Sequence, residues 1–332
     1  MKHSQTLLLF AMCVLPTPLM AAQTFPPGRA RASVGLRSSP RAGEASGDSS
    51  VQQPRAPGTP SVIDFGTIDF PGAPDSAVYR VNNHGQFVGG YGPDTPIDLP
   101  DFGFILTKTS FKKLRFPAAA FTQSIGLNDA GEVVGTYIDT AGNYHGFKLV
   151  NGHYTSIDPP GSVLTVVTDV NDSGEIVGLY YDAQNVGYGF SLVGKTYTSF
   201  EAPGSKYTAA QGVNNKGQIV GEYWDSSNNY HGFLFEDSVF TTVDYPGAVW
   251  TSVLGINAKG DVVGRYGDGV SNIYEGFEHG FEFSGGQYLT IDVPFAGAGA
   301  TQTVGINKSG RIAGWYMDTS GRMFGYTARI VP

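Results

Sequence analysis

Two short stretches concentrate carboxylates: Asp94, Asp98 and Asp101 within residues 93–101, and Glu275 and Glu278 within residues 269–278, where Asn272 and Tyr274 also stand. Oxygen ligands of this kind suit Ca²⁺, yet no Asp-x-Asp-x-Asp-Gly spacing organises them. The expectation is solvated loop charge and no resident metal, with Ca²⁺ the one cation these loops could take. Carboxyl groups about 5 to 9.5 Å apart also cleave glycosidic bonds, and Asp94, Asp98, Asp169 and Glu275 beside Arg80 are the candidates for that work. No compact catalytic signature accompanies them: Gly-x-Ser-x-Gly, His-Glu-x-x-His, a P-loop and Ser-x-Asp-x-Gly-x-x-Trp are all absent.

The positions of these residues follow from a repeat. Asn, two variable residues, Gly, a polar residue, two mostly apolar ones, Gly, any residue and Tyr recur six times between residues 82 and 316. The central glycines are Gly85, Gly131, Gly174, Gly217, Gly260 and Gly310, spaced by 46, 43, 43, 43 and 50 residues. Periods near 43 suit a four-stranded propeller blade. In unit three, strand A starts at Thr165, strand B at Glu175, strand C at Gly187 and strand D at Thr196, before Ala202-Pro203-Gly204 crosses to the next unit. Pro lacks the ladder donor and Gly favours a turn, so the strand stops there.

The folded region opens on a D-type strand, Thr67 to Gly72, and ends on a C-type strand, Phe324 to Arg329. One end therefore supplies what the other lacks. The predicted fold is all-β, a six-bladed β-propeller closed by its N-terminal strand.

Strand C carries His145-Gly146-Phe147, His231-Gly232-Phe233 and His279-Gly280-Phe281, with variants at Phe102-Gly103-Phe104, Tyr188-Gly189-Phe190 and Phe324-Gly325-Tyr326. Together with the Gly-Ile-Asn and Ile-Val-Gly-x-Tyr phrases, this pattern resembles the HAF family of extracellular repeat proteins, named for His-Ala-Phe at this place. The resemblance covers residues 66 to 330, with Gly in place of Ala throughout. It implies secretion and a repeated β architecture, and it lends no activity. The histidines lie on separate units away from any axis, so they are expected to pack or hydrogen-bond rather than share a metal.

Composition agrees with this architecture. The 332 residues are 41% hydrophobic and only 15% charged, with 46 glycines and 39 Tyr plus Phe. These are the numbers of many tight turns between short aromatic strands. Met1 to Ala22 reads as a secretory signal peptide with one cation, Lys2, and an apolar run from Thr6 to Leu15. Residues 23–60 read as a disordered linker rich in Pro, Gly, Ser and Arg. Removing the signal removes Cys13, the single cysteine, and with it any disulfide or thiolate site. Residues 61–332 then carry 15 cations and 27 anions, a net −12 that opposes nucleic acid and anionic membranes.

Three further features point to where a ligand could sit. Loop length varies between strands B and C of units one and five, and variable loops on a rigid scaffold often carry function. A hydroxyl recurs at the start of strand A (Ser76, Thr122, Thr165, Thr208, Thr251, Thr301), predicted to bond the crossing loop, and the residues before it include Phe121, Tyr207 and Trp250. Such a ring of aromatics at the channel mouth could stack a sugar. Trp224 and Tyr181 share a position whose other occupants are Gly92, Ile138, Gly267 and Met317; that variety is read as exposure. Four residues after the hydroxyl, four units have Gly, whereas unit one has Arg80 and unit three Asp169, departures that suggest a ligand contact or a channel ion pair.

The reading is a secreted, extracellular or periplasmic, monomeric and non-catalytic scaffold that binds a glycan or an extracellular protein. Its rivals are an exported glycan hydrolase or lyase and a purely structural envelope module.

Overall fold

The computed structural model describes residues 62–92, 102–269, 278–295 and 298–331, and every regular element among them is a β-strand. The signal-peptide and linker readings, and candidates Asp94, Asp98, Asn272, Tyr274 and Glu275, lie outside the described residues. The chain is a β-propeller arrangement: four sheets of four strands and one of eight, each built of neighbouring antiparallel strands. Within the eight-stranded sheet, Gly187–Val193 and Tyr207–Val213 join two successive units through a single parallel bridge, Gly187 to Tyr207. Unit three runs Ser162–Val170, Ile176–Asp182, Gly187–Val193 and Thr196–Phe200, as its alternation predicts. One sheet joins the two ends of the sequence, because Val62–Ile68 pairs antiparallel with Met323–Val331 over seven residues.

The repeated residues form one lock, used in each unit. Every A strand carries a β-bulge at the same place, for example between Val253 and Gly255, which bends it at mid-length. Opposite the bulge stands the B-strand glycine (Gly89, Gly135, Gly178, Gly221, Gly264, Gly314), where a Cβ would run into the A-strand carbonyl. A ring from strand C lies against it: Phe104, Phe147, Phe190, Phe233, Phe281 or Tyr326, each fully buried. In every unit but the third, where Gly189 packs against Phe200 of its own sheet, the C-strand glycine faces the next unit instead. A Cβ on Gly146 would strike Val167, one on Gly232 would strike Val253, and one on Gly280 would strike Thr303. Interblade contact thus demands Gly at this position.

The turn between strands A and B is built as its sequence implies. Asn82 Oδ1 accepts hydrogen bonds from the backbone of His84 at 3.1 Å and Gln86 at 2.9 Å, while Gly85 takes φ of +73°. The recurring hydroxyl bonds the crossing loop in five units: the backbone N–H groups of Phe70, Phe116, Ala202, Tyr245 and Val293 donate to Ser76, Thr122, Thr208, Thr251 and Thr301. Unit three differs because the donor position is Pro159, which has no N–H. Thr165 there donates to Ser162 Oγ at 3.1 Å instead.

The histidines pack as expected, on three separate sheets. Each stacks on the B-strand tyrosine, with centroids 5.0 to 5.1 Å apart, and stands between two aspartates. His231 Nδ1 lies 2.7 Å from Asp244 and its Nε2 3.7 Å from Asp225. Hydrogen bonds from Asn143 hold the neighbouring Asp139 carboxyl down at about 2.

A carboxylate of opposite tendency sits on strand C of unit five. Burial and then the nearby Asp261 push Glu282 up to about 7, with Lys259 pulling the other way. A carboxyl raised on folding adds stability below its unfolded value near 4.5, and that stability is lost as pH rises through about 7. Glu282→Gln is therefore expected to be more stable than the wild type at pH 8 by on the order of 1–2 kcal/mol, after discounting for partial exposure. The gain should vanish at pH 4; parallel urea midpoints at both pH values would refute it.

Candidate functional site

The inner strands turn one side toward all the other units. Along strand A this side holds alternate residues, and one apolar cluster collects them from every unit: Ala77 and Tyr79, Ile125, Val166, Ala209, Leu254 and Val304. The six other clusters each lie between neighbouring units, where the repeated residues meet. Tyr79, Leu179, Tyr181, Leu254 and Trp315, which differ from their counterparts in the other units, lie on this common side.

At the turn end, the asparagines form a cycle. Asn82 Nδ2 donates to the Asn128 carbonyl at 3.1 Å, and the pattern runs through Asn171, Asn214, Asn257 and Asn307, whose Nδ2 returns to the Asn82 carbonyl at 3.0 Å. The cycle surrounds a depression with about 570 Å³ of empty space, open solvent included, and Arg80 and Asp169 reach into it. These two residues, which break the repeat, meet there: Arg80 Nε is 3.3 Å from Asp169 Oδ1, with both side chains buried.

The Arg80 guanidinium also donates to four carbonyls, those of Tyr79 (3.1 Å), Val304 (2.7 Å), Gln211 (2.5 Å) and Leu254 (2.9 Å). Asp169 Oδ2 accepts from the Val213 N–H at 3.2 Å. Burial pushes the Asp169 carboxyl above the usual range, against the pull of Arg80. The glycines at this level have no room to be anything else: a Cβ on Gly305 would lie 2.6 Å from the Tyr79 carbonyl and 3.0 Å from Arg80 Cα. Of the two expectations for Arg80 and Asp169, the structure shows the ion pair. Both are engaged with the protein, at the level where Gly305 packs against Tyr79 and Arg80.

At the crossing-loop end the aromatics pack into the interior, Tyr181 against the expectation that it is exposed. Trp250, Tyr207 and Tyr181 are 4%, 3% and 5% exposed, while Phe121 and Trp224 are partly buried. Tyr207 packs between Tyr181 (6.1 Å) and Trp224 (5.0 Å). Trp250 lies over Gly267, where any Cβ would collide with its indole. The variety at these positions marks packing rather than exposure: Trp250 faces Gly267, whereas Tyr207 faces Trp224.

Polar groups share this end. Arg265 stands over the Trp250 ring at 5.6 Å, with its Nη1 3.4 Å from Glu278 Oε1. Glu278 Oε2 accepts from Gln302 Nε2 at 2.7 Å. Strand register sets Ala209 beside Glu222 and Ser252 beside Arg265. Five buried atoms on this side find no hydrogen-bond partner among the described residues: Thr136 Oγ1, Glu222 Oε2, Trp224 Nε1, Ser252 Oγ and Gln302 Oε1. Leaving such an atom unpaired costs about 1–3 kcal/mol, so a partner is called for. Among the described residues no three His, Cys, Asp or Glu are grouped to hold a metal.

Sequence reasoning passed over Glu222, Arg265 and Gln302. The signal was the free position of Val-Gly-x-Tyr, occupied in turn by Gly90, Thr136, Leu179, Glu222, Arg265 and Trp315.

Strand order alone defines the class, a β-propeller. No protein-family model matches the chain, and no curated protein does. Solved structures resemble it in chain path. AofleA from Arthrobotrys oligospora is 11% identical over 81% of this chain and 87% of its own, with a TM-score of 0.48. A fungal lectin, Aleuria aurantia lectin, described as a six-bladed propeller with a novel mode of fucose recognition, is 9% identical over 77% and 93%, with a TM-score of 0.46. The gluconolactonase XC5397 from Xanthomonas campestris is 12% identical over 84% and 99%, with a TM-score of 0.47. No helix among the described residues is long and apolar enough to cross a membrane.

Proposed function

We propose that this chain is an exported, non-catalytic binding propeller of six four-stranded blades, closed by its N-terminal strand, which takes a glycan at the crossing-loop end of its interior. The six-blade closed ring is supported by the pairing of Val62–Ile68 with Met323–Val331 and by the asparagine cycle that returns to its start.

One observation carries the binding reading. At the turn end each ring asparagine is bonded through both Oδ1 and Nδ2 and Arg80 Nε, without a hydrogen bond, stands in an ion pair with Asp169, whereas the crossing-loop end keeps several buried polar atoms without partners among the described residues beside an indole. A ligand rich in hydroxyls meets that need, since each hydroxyl both donates and accepts, and Trp224 offers an apolar edge for a sugar ring. The hydrolase reading is less well supported. Glu278 is engaged with Arg265 and Gln302, which leaves Glu222 the one acid at that end with an unpaired oxygen among the described residues.

Glycan-array binding of the purified protein tests the proposal. Binding without cleavage of the bound glycan, weakened at least about tenfold by Glu222→Gln or Trp224→Ala, is the expected result. Turnover of the bound glycan would replace it with the enzyme reading. Silence on the array, or binding indifferent to both substitutions, would end it.

A further inference from the structure

Unit one departs from its sisters on the outer side of the blade. The residue that ends strand D is acidic in five units, Asp69, Asp158, Glu201, Asp244 and Asp292, but is Arg115 in this one. Two residues earlier, Thr67, Ser156, Ser199, Thr242 and Thr290 are replaced by Lys113. Four of those hydroxyls hydrogen-bond the B-strand tyrosine, as Ser156 does with Tyr137 at 2.8 Å. In unit one the Lys113 ammonium stands over the Tyr91 and Phe70 rings at 5.5 and 5.6 Å instead. The strand C position that is His145, His231 or His279 in three units, and Tyr188 or Phe324 in the other two, is Phe102 here, covered by the Arg115 guanidinium at 5.0 Å. Hydroxyl, acid and imidazole have been exchanged together for ammonium, guanidinium and phenyl.

These groups line a cavity with about 850 Å³ of empty space, open solvent included, between the Pro71-Gly72-Ala73 crossing and Phe70, Tyr91, Phe102, Lys113 and Arg115. Arg115 donates to the Ala119 carbonyl at 3.1 Å, which fixes its fork. Neither cation is paired with a carboxylate among the described residues. A concave pocket with an aromatic wall and two such cations, on a protein of net −8, is complementary to a ring with an apolar C–H face and a carboxylate, as in a uronic acid.

We infer that unit one holds a second binding site, for an acidic saccharide, in which Lys113 and Arg115 engage the carboxylate and Phe102 meets the sugar ring. The site is separate from the one at the end of the interior, so either can fail alone. Lys113→Ser/Arg115→Asp restores what the sister units carry and is therefore expected to fold.

Calorimetry on the full chain with trigalacturonate should show binding that weakens with added salt, and that is about tenfold or more weaker in the double variant. Galactotriose, the neutral counterpart, should bind at least about tenfold more weakly than trigalacturonate. Equal affinity of the two proteins for trigalacturonate, equal affinity of the wild type for both sugars, or absence of trigalacturonate binding would overturn the inference. Displacement by inorganic phosphate at matched ionic strength, as effective as displacement by trigalacturonate, would reduce the site to a simple anion site and overturn the sugar assignment. Asp94, Asp98 and Asp101 lie in the sequence between Gly92 and Phe102. Their triple Asn variant should bind trigalacturonate at least as tightly as the wild type, and weaker binding would count against an anionic ligand.

Discussion

A chain that starts at Pro71 is expected to lose its cooperative unfolding transition. The strand it lacks, Val62–Ile68, is paired along its whole length with Met323–Val331. Phe65 packs against Phe295 and Tyr326, at 6.2 and 6.0 Å between centroids, and Ile68 is buried. Burying apolar side chains of this size contributes about 1.5–3 kcal/mol each. Ile63, Phe65 and Ile68, the first two only partly covered, together supply on the order of 5 kcal/mol, comparable with the net stability of many domains. Without the strand, Met323–Val331 becomes a bare sheet edge prone to pairing between molecules. Guanidinium unfolding and size-exclusion chromatography of the truncated protein should show a lost transition and aggregates, and a synthetic peptide covering residues 60–70 should restore the monomer. A truncated protein with the full-length midpoint would show that this pairing contributes nothing.

Replacing Arg80 should cost nearly as much through a different cause. Arg80→Met strands the buried Asp169 carboxylate and removes the donor from three carbonyls of other units. Breaking a buried pair in this way typically costs about 3–5 kcal/mol. Asp169 already has its carboxyl raised by burial, with Arg80 drawing it back down, so loss of the cation raises it further. Stability from a raised carboxyl is present below its unfolded value and is lost as pH rises through the folded one. The deficit of Arg80→Met should therefore narrow between pH 8 and pH 4. In Arg80→Met/Asp169→Asn the pH dependence should disappear, with a coupling of about 2 kcal/mol or more in the double-mutant cycle. Additive losses in urea unfolding would mean the two residues act independently.

The residues that make the blades were legible because every junction between units is the same junction. Gly264 and Phe281 do for unit five what Gly135 and Phe147 do for unit two, so one packing solution is written repeatedly along the chain. The interior obeys the opposite logic. Six tryptophans at one level would not fit around it and six glycines would leave it hollow, so it is filled by unlike neighbours. Variation at the position of Tyr181 is a consequence of this crowding, and reading it as exposure reversed its meaning. Arg80 and Asp169 stood out as departures from the repeat, but no linear spacing showed whether they would face a ligand or each other. Thr165 was misjudged for a local reason, since the position expected to donate an N–H to it is Pro159, which has none.

In the closed ring proposed above, Arg80 gauges the size of the circle. Its guanidinium reaches carbonyls in units four, five and six and a carboxylate in unit three, all within one side chain's span. An in-frame duplication of 43 residues would reproduce every side-to-side contact and be welcome at each junction. It would also widen the circle and carry those acceptors out of reach. Gaining or losing a repeat would therefore cost the arginine its partners, while exchanging one would have to keep the unlike residues of the interior matched.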